Sequence, residues 1–349
     1  MEIPRHLDQH ERAARLRLVT DSGTVTRHEP MDRSRNKAVL SAIRDLLGEA
    51  VDDPGLLREF RDGADFQWGR LYDHLRAAGV RRGVIGDVRT LADRFERPYP
   101  SLLRLRVDVH SHLDFAPGQY VTLRAHGTPR AYSLANSPSE DDLEFCIRRV
   151  PGGRLTSDLF VHTEVGDEVV VRGPNGHMVL DDPSGRDLVL MATGTGVAPF
   201  KSMIDYCFEQ GWDAHEGEPR DIWLFLGCGW EDDLPHREAF EAYDREYEHF
   251  HFVPSLTREE LLTDWDGETD YIQRVLLSYL DDAAIEGVDL PAELAAYRDA
   301  EPARDIDARI DPEHTELYAC GITAMVGTLV AAARAVGVPE EHMQYEGFG

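Results

Sequence analysis

Lysine is nearly absent from this chain: of its 349 residues only Lys37 and Lys201 carry an ammonium group, so almost all of its 37 positive charges are arginine. Cysteine is scarce too. Its four thiols, Cys146, Cys207, Cys228 and Cys320, show no paired spacing that would hold a zinc ion or an iron–sulfur cluster. Any metal cluster is therefore expected on a partner. Long apolar runs are missing, and the opening Met1-Glu2-Ile3-Pro4-Arg5-His6 has no apolar h-region. The expectation is a reduced, cytoplasmic protein without membrane insertion.

Acid is what the chain has in plenty. Sixty-five Asp and Glu residues set against the 37 basic ones give a formal charge of −28, spread along the whole length. Such a surface repels nucleic-acid phosphates and anionic lipid, which argues against both as partners. At molar salt the Debye length falls to about 3 Å and this self-repulsion is largely screened. A halophilic setting is expected, with a merely acidic cytosolic protein as the alternative. The length exceeds what one core usually fills and predicts two or three domains.

Three grammars follow one another. Up to about residue 97 the chain is charged with helical periodicity, as in Val39, Leu40, Ile43, Leu46 and Leu47, which predicts a small helical domain over 1–97. Arg97-Pro98-Tyr99-Pro100 breaks it. Leu103-Arg104-Leu105-Arg106-Val107 then alternates with period two, and short strand-like runs follow closely, which predicts an antiparallel barrel over 98–182. After Pro183, apolar runs such as Leu188–Ala192 and Ile222–Leu226 alternate with helical segments. That pattern predicts a doubly wound parallel sheet over 183–349, with Asp281 to Glu313 as an acidic surface insertion. The fold class is thus β plus α/β, preceded by a helical segment.

Three segments carry chemistry. In Arg130-Ala131-Tyr132-Ser133 a guanidinium could fork onto a pyrophosphate, an aromatic ring could lie on an isoalloxazine and a hydroxyl could reach its N5; a plain barrel strand suits the same residues. Gly152-Gly153-Arg154-Leu155-Thr156 opens a helix, where bare backbone and free amides, with Thr156 as a cap, favour a diphosphate; an ordinary capped turn is the other reading. Thr193-Gly194-Thr195-Gly196-Val197-Ala198-Pro199 falls at the carboxyl end of the first strand of the parallel domain, with Pro199 preset for a helical turn. Ligands bind at that edge of an open sheet. The turn is neither the G-x-G-x-x-G fingerprint nor a Walker loop, yet its context favours a phosphate cradle.

Together with Cys320-Gly321, Met325 and the closing Glu346 and Phe348, these segments resemble ferredoxin:NADP reductase and its relatives, in the family's order and over roughly residues 100 to 349. The resemblance implies an FAD-binding barrel in which Arg130, Tyr132, Ser133, Gly153, Thr156 and Phe348 hold the flavin. It implies that Ser133, Cys320 and Glu346 surround the nicotinamide as hydride passes, and that Gly194, Thr195, Gly196, Pro199 and Cys320 contact NADP(H). Thr257, Arg258 and Tyr271 match segments that read a 2'-phosphate, whereas Thr269 stands where the family carries lysine and the Cys228–Asp233 loop is acidic. NADP is favoured and NAD(H) stays open. Phe348 stands where tyrosine is common, and Gly349 follows it. The implied activity moves hydride between NADP(H) and flavin, and single electrons between flavin and a ferredoxin or flavodoxin docked on a local arginine cluster that includes Arg148 and Arg149. One alternative is an NADH-dependent reductase component of an oxygenase or other multicomponent system. Another is a non-enzymatic flavin-binding scaffold working through residues 1–97.

Overall fold

The computed structural model describes residues 9–53, 55–63 and 65–348. Along the chain come α1 (Gln9–Arg15), β1 (Val19–Pro30), α2 (Asn36–Val51), α3 (Leu56–Glu59), a two-residue hairpin of β2 (Arg61–Asp62) and β3 (Asp65–Phe66), α4 (Trp68–Ala77) and α5 (Arg82–Glu96). Then follow β4 (Leu102–Val109), β5 (Tyr120–Ala125), β6 (Thr128–Ser133), β7 (Leu143–Arg148), α6 (Arg154–Val161) and β8 (Glu168–Asn175). The last part holds β9 (Asp187–Thr193), α7 (Ala198–Gln210), the small hairpin β10 (Ala214–His215) and β11 (Glu218–Pro219), β12 (Ile222–Cys228), α8 (Arg237–Glu246) and β13 (Phe250–Leu256). It closes with α9 (Ile272–Val275), α10 (Asp282–Ile285), α11 (Ala292–Ala295), β14 (Thr315–Ile322), α12 (Thr323–Ala335) and β15 (Met343–Phe348).

Two compact units result. One takes in the described residues up to Met31, Leu102–Thr257 and Asp266 onward; the other is Asp32–Ser101 with Arg258–Trp265. In the first, six antiparallel strands run in the order β6-β5-β8-β1-β4-β7. Just past β6 the Ala135 amide donates to the Glu144 carbonyl of β7 at 2.9 Å, which nearly closes the barrel. Period-two alternation fills the interior with Leu103, Leu105, Val107, Val121, Leu123, Phe145, Val169 and Val171, while Arg106 turns to Glu144 at 2.9 Å.

β1 corrects the expectation of a wholly helical stretch over 1–97. Val19–Pro30 lies between β8 and β4, so the helical unit is spliced into the barrel after its first strand. Val25 is the single apolar side chain that this strand buries fully, and its register shifts between Val25 and Arg27. Gly23 is needed beside it, since a Cβ there would stand 2.6 Å from Val107 Cγ1.

Five parallel strands follow in the order β13-β12-β9-β14-β15. Helices cover both faces: α9 and α12 join a core with Val189, Phe225 and Ala319, and α8 lays Phe240 on Phe252 with ring centroids 5.5 Å apart on the other face. The segment expected as a surface insertion is more than that. Ile285, Leu290, Leu294, Ile306 and Ile310 are buried in the sheet-face core, so its acids are the solvated side of a covering element.

The second unit has its own interior, with Val39, Ile43, Leu47, Leu71, Leu75, Val88 and Leu91 buried. Phe66 stacks on Trp68 at 4.8 Å and meets Phe95 edge-on at 5.4 Å. Its ends are tied by Asp32, whose carboxylate accepts from the Ser101 amide at 2.8 Å and hydroxyl at 2.7 Å, and Arg35 pairs with buried Glu259 at 2.8 Å.

Candidate functional site at the carboxyl edge of the parallel sheet

The carboxyl ends of β9, β14 and β15 meet backbone against backbone. A Cβ on Gly196 would lie 2.4 Å from the Cys320 carbonyl oxygen, one on Gly321 would lie 2.2 Å from Thr193 Oγ1, and one on Gly347 would lie 2.9 Å from Thr323 Cα. Glycine is therefore forced at Gly196 and Gly347, where backbone stands in the way, whereas at Gly321 the obstacle is a side-chain hydroxyl. Gly194 differs: it has φ +52 and its Cβ direction is open, with nothing within 4 Å. Thr195 is half-buried beside it, Gly196 is buried, and Pro199 sits in the first turn of α7. Thr193 Oγ1 is buried and finds no hydrogen-bond partner among the described residues.

Register brings two of the expected catalytic residues together. In the β14–β15 ladder Cys320 stands opposite Glu346, and Ile322 opposite Phe348. Burial, and next the Glu346 charge, push the Cys320 thiol up to about 12, so it stays protonated near neutrality. Burial also raises the Glu346 carboxyl, against the pull of His177. Phe348 and Ile322 are 42% and 53% exposed, which leaves an apolar rim at the sheet edge. Gly349 lies outside the described residues.

The third residue, Ser133, is reached through the barrel. Ser133 pairs with Tyr120, Tyr120 pairs with Asn175, and Gly176 packs where a Cβ would meet the Tyr120 ring at 3.0 Å. His177 follows and faces Glu346, while two residues on the Val179 amide donates to Gln344 Oε1 at 3.3 Å. The Asp181 amide donates to Tyr318 Oη at 2.9 Å. The stretch 177–181 thus carries the barrel onto β14 and β15. Nothing in the sequence singled out Tyr120, Asn175 or His177; their roles are visible only once the strands pair.

On β6, the Arg130 guanidinium is exposed and donates to the Pro129 carbonyl at 2.8 Å. Tyr132 is half-buried, edge-on to Phe145 at 6.4 Å, and burial pushes its phenol up to about 12. At the start of α6 the N-cap is Gly153, not Thr156. Thr156 sits three residues in, and its hydroxyl accepts from the Val150 amide at 3.2 Å, stapling the preceding turn. A Cβ on Gly153 would meet that hydroxyl at 2.7 Å.

Thr257 and Tyr271 lie apart from this group. They flank β13, at the far side of the sheet from β15, four strand spacings or roughly 19 Å away. Thr257 is exposed, and its amide donates to the Cys228 carbonyl at 3.1 Å. Tyr271 is 50% exposed with the Arg274 guanidinium 5.4 Å from its ring centroid. Arg274 is held by Asp270 at 2.9 Å and also lies 4.9 Å from the Tyr297 ring. Burial works to raise the Asp270 carboxyl, but hydrogen bonds from Tyr297, the Tyr271 amide and Arg274 leave it lowered. Arg258 is exposed and belongs to the helical unit. Of the arginine cluster expected at Arg148 and Arg149, Arg148 pairs with Asp233 at 2.8 Å, while half-buried Arg149 lies over the Phe160 ring at 5.8 Å and keeps its charge.

These residues fit a dinucleotide and a flavin. The open backbone at Gly194 leaves room for a phosphate, and the exposed Arg130 guanidinium is a donor suited to one. Among the described residues no group of His, Cys, Asp and Glu could hold a metal ion, and no helix is long and apolar enough to cross a membrane.

Known proteins match in the same two parts. The oxidoreductase FAD-binding domain family matches residues 100–180 and the oxidoreductase NAD-binding domain family residues 190–330. The chain is 30% identical over 186 residues to phenol hydroxylase P5 protein of Acinetobacter pittii, covering 52% of this chain and 51% of that one. It is 27% identical over 264 residues to the ferredoxin–NAD(P)(+) reductase component of the naphthalene 1,2-dioxygenase system of Pseudomonas putida, covering 72% and 66%. It thus spans between half and two thirds of these curated relatives. A ferredoxin NADP+ reductase from Neisseria gonorrhoeae, solved with FAD and NADP, superposes with a TM-score of 0.51 at 20% identity over 71% of this chain and 93% of that one, a likeness of fold. Barrel, parallel sheet and both domain matches agree, and the chain belongs to the ferredoxin reductase-like superfamily, with an FAD-binding domain followed by an NAD(P)-binding domain.

Proposed function

We propose that this protein is an FAD-dependent oxidoreductase that moves hydride between NADP(H) and its flavin and single electrons between the flavin and a ferredoxin or flavodoxin-type carrier. The observation that carries it is the path of neighbours Ser133, Tyr120, Asn175, His177 and Glu346, with Cys320 opposite Glu346, which sets a hydroxyl, a thiol and a carboxyl along one barrel-to-sheet seam. When bound, FAD supplies the conversion between two-electron and one-electron chemistry. The chain's own part is alignment. Arg130 and Gly153 would hold the pyrophosphate and Tyr132 the ring, with Thr156 keeping the Gly153 turn in shape. Ser133 would donate a hydrogen bond near the reacting nitrogen. Cys320, protonated, fills space at the nicotinamide, and Glu346 holds a charge or proton beside it. Phe348 would cover the ring face.

For the nucleotide, Gly194, Thr195, Gly196 and Pro199 would cradle the phosphates, with Thr257 and Tyr271 at the adenosine end. A second reading is an NADH-dependent reductase component of an oxygenase system, in which Asp270, already paired with Arg274, would accept from a ribose hydroxyl beside Tyr271. It is supported too by the relatives named above. We also assign the chain to a saline, reducing cytoplasm, on its −28 charge and on cysteines that are all free. Ferricyanide reduction by the FAD-loaded protein, with NADPH and NADH compared, tests the assignment. Higher kcat/KM with NADPH supports the first reading, higher kcat/KM with NADH supports the second, and no turnover with either contradicts both.

A further inference from the structure

α1 lies far ahead of the flavin strand β6 in the chain, yet its side chains end on the barrel-to-sheet seam. Gln9 is 4% exposed, and its Nε2 donates to the Tyr206 hydroxyl at 3.4 Å, on the helix α7 that follows the glycine turn. His10 reaches the other way, with Nε2 2.6 Å from Asp181 Oδ1. A carboxylate can only accept, so this ring nitrogen carries the hydrogen and donates it. The short helix thus ties α7 to the stretch 177–181 that joins barrel and sheet.

Asp181 is the hub of this tie. Its Oδ2 accepts from the Gln344 amide at 2.9 Å and from the Tyr318 hydroxyl at 3.1 Å, while its own backbone amide donates to that hydroxyl at 2.9 Å. Gln344 Nε2 also lies 3.3 Å from Tyr318 Oη and 3.2 Å from His10 Nε2, so side chains from α1, β14 and β15 converge on one carboxylate. Burial, and next the Asp181 charge, hold the Tyr318 phenol well above its ordinary range, so it keeps the hydrogen it donates. In the β14–β15 ladder Tyr318 stands opposite Gln344, and two residues on Cys320 stands opposite Glu346. With a strand period of two, hub and site pair share one face of the sheet. What fixes Gln344 therefore sets where Glu346 and Phe348 stand.

We propose that α1 is a strap and His10 a positioning residue: through Asp181 it holds the ends of β14 and β15 in the alignment that hydride transfer needs. The proposal rests on the reductase function argued above. His10 and Asp181 are 46% and 38% exposed, so their tie contributes a small factor and does not hold the fold together. A rate set by the alignment of two rings responds to small displacements all the same. Loss of the strap loosens the edge strand β15 without emptying either binding site.

The test compares His10→Leu, His10→Gln and Asp181→Ala in the full, FAD-loaded chain. Hydrogen exchange read by mass spectrometry reports on the strand itself: Met343–Phe348 should exchange about two- to fivefold faster in His10→Leu, with the melting temperature unchanged. In stopped-flow reduction by NADPH and by NADH, the limiting rate should fall by about the same two- to fivefold while the nucleotide dissociation constant stays at the parent value. A merely structural role would move melting and binding together. His10→Gln, whose amide can donate to Asp181, should restore both readings, and His10→Leu should add nothing in an Asp181→Ala background. Parent-like exchange in His10→Leu overturns the strap, and faster exchange with an unchanged limiting rate overturns the positioning role. His10→Gln behaving like His10→Leu, or a further loss on Asp181→Ala, overturns the route through Asp181. Should Asp181→Ala fail to fold, the two His10 variants decide. A parent whose flavin neither nucleotide bleaches counts against the reductase reading, and the exchange measurement decides the strap without it.

Discussion

At the scale of single residues the site is built on positions where no side chain fits. Gly196 lies so close to the Cys320 carbonyl that Gly196→Ala must push β14 away from the phosphate turn. We expect a loss of about 2–3 kcal/mol in urea unfolding, at the upper end of overpacking costs, and weaker nucleotide binding with it. The His177 and Glu346 pair makes a pH prediction. Burial raises the Glu346 carboxyl and His177 holds it back, so His177→Gln lets the carboxyl rise further. If the ionised form serves hydride transfer, the acidic limb of the rate profile moves to higher pH in this variant. An unmoved limb would remove Glu346 from the titration. The protonated Cys320 thiol, by contrast, leaves no thiolate chemistry to look for near neutrality.

At the scale of elements, β9 carries a strained acid at its amino end, far from the site. Burial, and next the charge of Asp221, push Asp187 up to about 6 from 3.8. The folded state thus binds this proton more tightly than the unfolded chain. Its contribution is fully present below pH 3.8 and is lost as pH rises through about 6. Asp187→Asn keeps the oxygen that accepts the Asp221 amide at 3.1 Å and removes the penalty. The variant is expected to be more stable than the parent at pH 7 by about 1–2 kcal/mol after solvent screening, and to converge with it near pH 4 in thermal melts. A variant less stable at pH 7 contradicts this account.

Which elements were legible in the sequence follows from how each buries itself. β9 and β12 are apolar on both faces because helices cover both, and their continuous runs announce a parallel sheet. β1 buries Val25 alone and reads as a polar stretch, so the splice of the helical unit into the barrel stayed hidden until strand pairing showed it. Apolar teeth such as Ile285 and Leu294 are spaced too widely among acids to announce the core they enter. The glycine turn was readable from local chemistry, and the Cys320 segment only from its resemblance to a known family. Tyr120, Asn175 and His177 were not, because Tyr120 meets Asn175, and His177 meets Glu346, only through strands far apart along the chain.

At the scale of the whole molecule, charge decides behaviour in solution. With 65 acids and a net −28, the folded chain repels itself at low salt, and counter-ions relieve this as the Debye length shrinks from about 10 Å at 0.1 M to about 3 Å at 1 M. The melting temperature is therefore expected to rise steeply with KCl over this range. A flat profile would contradict a saline-adapted surface. The central claim, however, is that barrel and sheet together form a working hydride-transfer site, and it is tested most directly by anaerobic stopped-flow mixing of the FAD-loaded protein in high salt with NADPH and, separately, with NADH. The account predicts rapid bleaching of the flavin band with at least one nucleotide, faster with NADPH, and strong slowing in Ser133→Ala. A flavin that binds yet is bleached by neither nucleotide would contradict it.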